Sequence, residues 1–166
     1  MFYNKLNIKA MSLLISVTIV ILAIAFNMGM FLVQAYAVVA DYGDIANCKV
    51  VRVYDGDTLY VDIPNTHVLF GKSIPIRVAH IDTPELKGKC PSEVVAANTA
   101  KNLVKKLLPA GSIITLKHVR RDNYFRVLAE VDINGGDLGT VLVNAGLART
   151  YEGVGLKPKW CSDKPQ

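Results

Sequence analysis

From Cys48 onward the apolar residues fall at every second position, and one stretch with helical spacing interrupts this pattern. Val51 and Val53, then Leu59, Val61 and Ile63, alternate with other residues, and Asp55-Gly56 lies between the two runs. The pattern predicts a hairpin in which Asp-Gly takes the turn, because both residues tolerate positive φ. Pro64-Asn65-Thr66 ends the second strand, and a third is expected over residues 74–81, with Ile74, Ile76 and Val78 on one side. Between Ser92 and Leu108 the spacing changes. Val94, Ala97, Ala100, Val104 and Leu107 recur three and four apart, while Asn98, Lys101, Asn102, Lys105 and Lys106 fill the other side of a predicted helix. Ser92 after Pro91 is the expected N-cap, and Pro109 with Gly111 marks the exit. Strands at Ser112–Arg120 and Arg126–Ile133 follow, the second closed by Asn134-Gly135-Gly136. A short helix is expected over Leu138–Ala145, ended by Gly146.

Three strands, a long helix, two strands and a short helix make a mainly β chain of the α+β class. The order matches a five-stranded Greek-key barrel of the OB type; the same count describes an open α+β sheet. The expected domain covers residues 47–155, after a linker at 38–46. A tail at 156–166, rich in Lys and Pro, is expected to be irregular.

The first 37 residues follow a different logic. Lys5 and Lys9 precede an uncharged run from Met11 to Val33. Ala35-Tyr36-Ala37 has the small-x-small form of a signal-peptidase site, and Val38-Val39-Ala40 is a second candidate. The run is also long enough to cross a bilayer core of ~30 Å as a helix. A cleaved signal and a retained membrane anchor both place the domain outside the cytoplasm, because the lysines hold the N-terminal end inside. Beyond those lysines the chain carries 17 basic and 14 acidic groups, a mildly basic balance that suits a polyanionic substrate without requiring one.

Cys48, Cys90 and Cys161 show no C-x-x-C pairing, which argues against a zinc site. In an oxidising compartment the expectation is one disulfide and one free thiol, with Cys161 tied back through Cys90 or Cys48.

Asp57, Arg77, Asp82 and Glu85 lie within thirty residues, at the ends of predicted strands. Grouped carboxylates repel one another unless a cation neutralises them, and a hard metal ion with a phosphate-binding arginine is a common reason for such grouping. Each residue also has a plainer reading: Asp57 as a turn residue, Asp82 as the ion-pair partner of Arg77, Glu85 as an exposed loop carboxylate and Arg126 as a solvated strand residue. His67, His80 and His118 lack metal-ligand spacing. Trp160 is expected to pack the tail.

Tyr54-Asp55-Gly56-Asp57-Thr58, Ile76-Arg77-Val78, Ile81-Asp82-Thr83-Pro84-Glu85, Asp122 to Ala129 and Gly146-Leu147-Ala148 together resemble the staphylococcal nuclease (thermonuclease) family, over roughly Val50 to Tyr151. The resemblance implies an OB-type barrel with calcium-dependent nuclease activity on DNA and RNA. It implies that Asp57, Asp82 and the Thr83 carbonyl hold Ca2+. Arg77 and Arg126 would grip the phosphate, and Glu85 would act on the attacking water. Tyr124 and Tyr151 are the implied substrate contacts, with Tyr151 only loosely matching the family's nucleotide-stacking tyrosine. Phe125 stands where the family has a glycine before the second arginine, and the family's long C-terminal helix has no counterpart after Tyr151. The expected protein is a monomer whose substrate is DNA or RNA and whose N-terminal segment, if retained, binds the membrane. The rival readings are a non-catalytic OB-type module binding nucleic acid or protein, and an anchored structural protein of the envelope; neither needs all five of Asp57, Arg77, Asp82, Glu85 and Arg126.

Overall fold

The computed structural model describes residues 13, 15–24, 40–122 and 124–161. The chain separates into two units, Met1–Val39 and Ala40–Gln166. In the first, residues 15–24 are helical and exposed. Among the described residues no helix is long and apolar enough to cross a membrane. Most of the expected leader run and the cleavage sites before Ala40 lie outside the described residues.

The second unit carries strands β1 (Ile45–Val53), β2 (Thr58–Asp62), β3 (Ile74–Val78) and β4 (Ile81–Asp82), with a helical turn, α1 (Val68–Gly71), between β2 and β3. Helix α2 (Pro91–Leu107) follows, then β5 (Ile113–Arg121), β6 (Val127–Ile133), β7 (Gly136–Asp137), α3 (Leu138–Asn144) and β8 (Arg149–Thr150). The sheet runs β3-β2-β1-β5-β6-β7, and a further β3–β6 pairing closes it. Five strands thus form a closed barrel, which selects the barrel over the open sheet. Neighbours pair antiparallel except β3 and β6, whose parallel register sets Ile76 opposite Val127 and Arg77 opposite Leu128.

A barrel this small needs sharply curved strands, and bulges supply the curvature. One bulge in β1 lies between Val50 and Arg52. It corrects the predicted alternation: Cys48, Val50 and Val53 face the core, while Val51 is only half-buried. β1 also begins at Ile45, inside the expected linker. The predicted third strand ends at Val78, where His80 takes a φ of 61° and turns the chain into the separate strand β4, paired with β8. Leu59, Ile76, Leu116, Leu138 and Leu142 are fully buried at the centre, each worth about 1.5–3 kcal/mol relative to exposure.

The helix also departs from expectation at both ends. Cys90, not Ser92, is its N-cap residue, and it makes no side-chain cap bond. The buried stripe is Glu93, Ala97, Ala100 and Val104, so Leu107 is exposed and Leu108 beyond the helix is buried instead. Gly56 does not have a positive φ. Its role is close approach: a Cβ there would come within 2.9 Å of both Ala100 Cβ and Thr83 Cγ2. Absence of a side chain lets α2 and the Thr83 segment close over the β1–β2 turn.

Candidate active site

Asp57 sits at the end of the β1–β2 turn and is buried. Its Oδ2 accepts from the Thr83 amide at 2.9 Å and the Thr83 hydroxyl at 2.8 Å, and pairs with Arg77 Nη1. Its Oδ1 accepts from the Thr58 hydroxyl at 3.2 Å. Thr83 is therefore pinned to Asp57 through both its donors, which fixes the segment that follows β4. Arg77, on β3, also donates to the Ile81 carbonyl at 2.9 Å, and its Nη2 lies 3.6 Å from Asp82 Oδ1. The guanidinium is thus largely sequestered between two carboxylates. Asp55 beside them has its carboxyl pushed up to about 6, first by burial and then by the charge of Asp57.

Asp82 is 2% exposed. Oδ2 accepts from the indole Nε1 of Trp160 at 3.0 Å. Oδ1 is fully buried and accepts no hydrogen bond; Lys157 Nζ lies 3.2 Å away, outside hydrogen-bonding geometry. A buried carboxylate oxygen faced by two cations but accepting no hydrogen bond is costly to desolvate, and it suits a hard divalent cation, which binds anionic oxygen. Glu85, largely exposed, accepts from the same Lys157 ammonium at 3.1 Å. Burial alone would lower the Lys157 pKa, but its hydrogen bond to Glu85 and the adjacent Asp82 carboxylate raise it.

Glu93 organises the loop that carries Glu85. From the first turn of α2 its buried carboxylate accepts from the Lys89 amide at 2.8 Å and the Glu85 amide at 3.4 Å. Among the described residues, the three His, Cys, Asp or Glu side chains with ligand atoms within 4.8 Å of one another are Cys90, Glu93 and Cys161. Cys90 and Cys161 are joined as a disulfide and offer no thiolate, so this trio is not a metal site. Asp57, Asp82 and Glu85 are not gathered that tightly.

The second arginine is placed differently. Arg126 stands one residue before β6, beside the strand that carries Arg77. Its Nε donates to Asp122 Oδ2 at 2.7 Å, and Asp122 Oδ1 accepts from the amides of Tyr124 and Arg126. Phe125 is held at φ 62°, a conformation that favours glycine. Its exposed ring packs under the Arg121 guanidinium at 4.4 Å. Tyr124 is 82% exposed with its ring 5.4 Å from Arg126. Tyr151 lies just past β8, its amide bonded to the His80 carbonyl. The structure therefore ties Asp57, Arg77, Asp82 and Thr83 together, links Glu85 to Asp82 through the Lys157 ammonium, and leaves Arg126, Tyr124 and Tyr151 outside this cluster.

Sequence reasoning missed Glu93, Lys157 and the link from Trp160 to Asp82. A signal for Glu93 was present: a carboxylate four residues before Ala97, on the stripe that the helix buries. Lys157 and Trp160 gave none, because their contacts span more than seventy residues.

Residues 75–161 match the family described as staphylococcal nuclease homologue. The matched segment contains every candidate residue except Asp57, and it includes the tail through Cys161. An uncharacterized endonuclease of Escherichia coli is 32% identical over 114 residues, covering 66% of this chain and 64% of its own. Endonuclease YncB of Bacillus subtilis is 32% identical over 107 residues, covering 63% of this chain and 48% of its own. An uncharacterized lipoprotein, MG186 of Mycoplasma genitalium, is 37% identical over 82 residues, covering 46% and 31%. The chain thus spans less than two thirds of the length of these relatives. With a barrel of the expected topology and a family match over half its length, the chain belongs to the staphylococcal nuclease homologue family.

Proposed function

We propose that this protein is an exported, calcium-dependent nuclease that hydrolyses phosphodiester bonds of DNA or RNA. The observation that carries the reading is the buried Asp82 oxygen without a hydrogen-bond donor, beside Asp57 and Arg77, in a chain whose relatives are named endonucleases. Asp57, Asp82 and the Thr83 carbonyl would hold the calcium. When bound, the ion supplies positive charge that offsets the charge growing on the phosphoryl oxygens. Glu85, exposed to water and borne on a loop fixed by Glu93, takes the proton of the attacking water. Arg77, held between Asp57 and Asp82, would turn its fork to phosphate oxygens once calcium takes over those carboxylates. Arg126 would offer its half-exposed guanidinium, and both remain charged at any working pH. Tyr124 and Tyr151 offer ring surface to the substrate. The uncharged run behind Lys5 and Lys9, the disulfide and the lipoprotein-named relative support a place outside the cytoplasm, either released or tethered to the membrane.

The test is degradation of plain DNA and RNA by the purified protein, with calcium and with chelator. Cleavage should vanish in chelator and return with calcium. Glu85→Gln should lower turnover by about 10²–10⁴-fold while nucleic-acid binding persists. Binding without cleavage by the wild type would support the non-catalytic module instead, and cleavage undiminished in Glu85→Gln would remove Glu85 as the base.

A further inference from the structure

We propose that Trp160 is a positioning residue for Asp82, delivered to it by the Cys90–Cys161 disulfide. The inference deepens the proposed metal site and rests on that reading.

The tail from Glu152 to Cys161 has no helix or strand to fix it, and Gly153 and Gly155 both take a φ of +79°. Yet it crosses the site. Arg149 Nη1 donates to the Lys159 carbonyl at 2.6 Å, and its guanidinium lies 4.6 Å from the centre of the Trp160 ring. The next residue, Cys161, is bonded to Cys90, 71 positions earlier. Cys90 is the N-cap residue of α2, and Glu93 in the first turn of that helix holds the Glu85 amide. One helix end therefore anchors both the loop carrying the proposed base and the tail carrying Trp160.

The indole contact has the chemistry that orients a ligand. A carboxylate rotates easily about its last bond, so Asp82 could exchange its two oxygens between Arg77, Lys157 and a metal. Trp160 binds Oδ2 alone, at 3.0 Å, and Oδ1 is left without a donor. The indole N–H is a donor only and carries no charge. It fixes the carboxylate without neutralising it and without occupying the cation position. A lysine or arginine there would compete with the metal; an asparagine or glutamine would add an acceptor. Groups hydrogen-bonded to metal ligands in this way commonly set affinity by 10–100-fold.

The experiment measures calcium binding directly. Isothermal titration calorimetry is run on the wild type, on Trp160→Phe and on the wild type with its disulfide reduced, with circular dichroism confirming the fold of each. Trp160→Phe keeps an aromatic ring and loses the N–H, so the calcium Kd should rise about 10–100-fold. Reduction changes no residue and should move the Kd in the same direction by releasing the tail. Trp160 is the one tryptophan of the chain. Terbium bound in place of calcium should therefore luminesce when the indole is excited, and excess calcium should quench the signal. An unchanged Kd in folded Trp160→Phe, or calcium binding without sensitised terbium emission, would overturn the assignment and leave the nuclease reading intact. A Trp160-dependent calcium site in a protein that cleaves neither DNA nor RNA would uphold the assignment and overturn the nuclease.

Discussion

Removing Arg77 should unmask the electrostatic cost of the site. Arg77→Met keeps much of the length and apolar volume but deletes the cation between Asp57 and Asp82. The Arg77 and Asp57 side chains are 11% and 10% exposed, so water replaces little of what is lost. Breaking one partner of a buried ion pair costs about 3–5 kcal/mol. The Ile81 carbonyl also loses its 2.9 Å donor, but that loss overlaps with the first and is not added in full. For a folded unit of this size, the thermal midpoint should fall by roughly 10–25 °C. Thermal melts followed by far-ultraviolet circular dichroism in chelator measure this fall. Calcium should then reverse part of it. A ligand at 100 times its Kd stabilises by about 2.7 kcal/mol, and calcium should protect the variant more than the wild type, because the carboxylates now lack their internal counter-charge. Arg77→Lys should fall between the two in stability, while its turnover should drop sharply with loss of the fork. A midpoint in chelator within about 2 °C of wild type would show that the buried carboxylates do not depend on Arg77. Equal calcium protection of the two proteins would show that the ion does not share their charge.

Three further outcomes are expected. Gly56→Ala should destabilise by about 1–3 kcal/mol in chemical denaturation and weaken calcium binding, because its Cβ would press on Thr83 and Ala100 at 2.9 Å; an unchanged denaturation midpoint would refute the close-approach role. His118 should titrate above its usual 6.5 in NMR, raised first by its hydrogen bond to Asp41 and then by the charge of Glu130, and Asp41→Asn should bring it down. This contact is fully present below the ordinary imidazole value until Asp41 itself protonates, and it is lost as pH rises through the raised one; an unmoved midpoint in Asp41→Asn would reject the pairing. Cys48, buried and with its thiol pushed up to about 11 by desolvation, should resist thiol reagents in the native protein and react after unfolding without reductant, giving one thiol per chain.

The strands, the long helix and most of the charged cluster were legible because their signals are local. Alternation over five residues fixes which face of a strand is buried, and spacings of three and four fix a helical stripe, whatever lies across the core. The cluster could be read because Asp57, Arg77, Asp82 and Glu85 occur at ends of such elements within one short stretch. Local pattern could not place the β1 bulge, which shifts the inward residues from Val51 to Val50, because curvature is required only once five strands must close. Nor could it explain Gly56, whose neighbours Thr83 and Ala100 come from elsewhere in the chain. The cysteines set the limit most clearly. Sequence left Cys161 free to pair with Cys90 or Cys48; the fold buries Cys48 in the barrel core and brings Cys90 to the tail at the head of α2. That closure carries Trp160 and Lys157 onto Asp82, a contact between residues more than seventy positions apart. Periodicity along the chain determined the elements, and barrel closure decided which distant charges and donors meet, because only closure sets distances between residues remote in sequence.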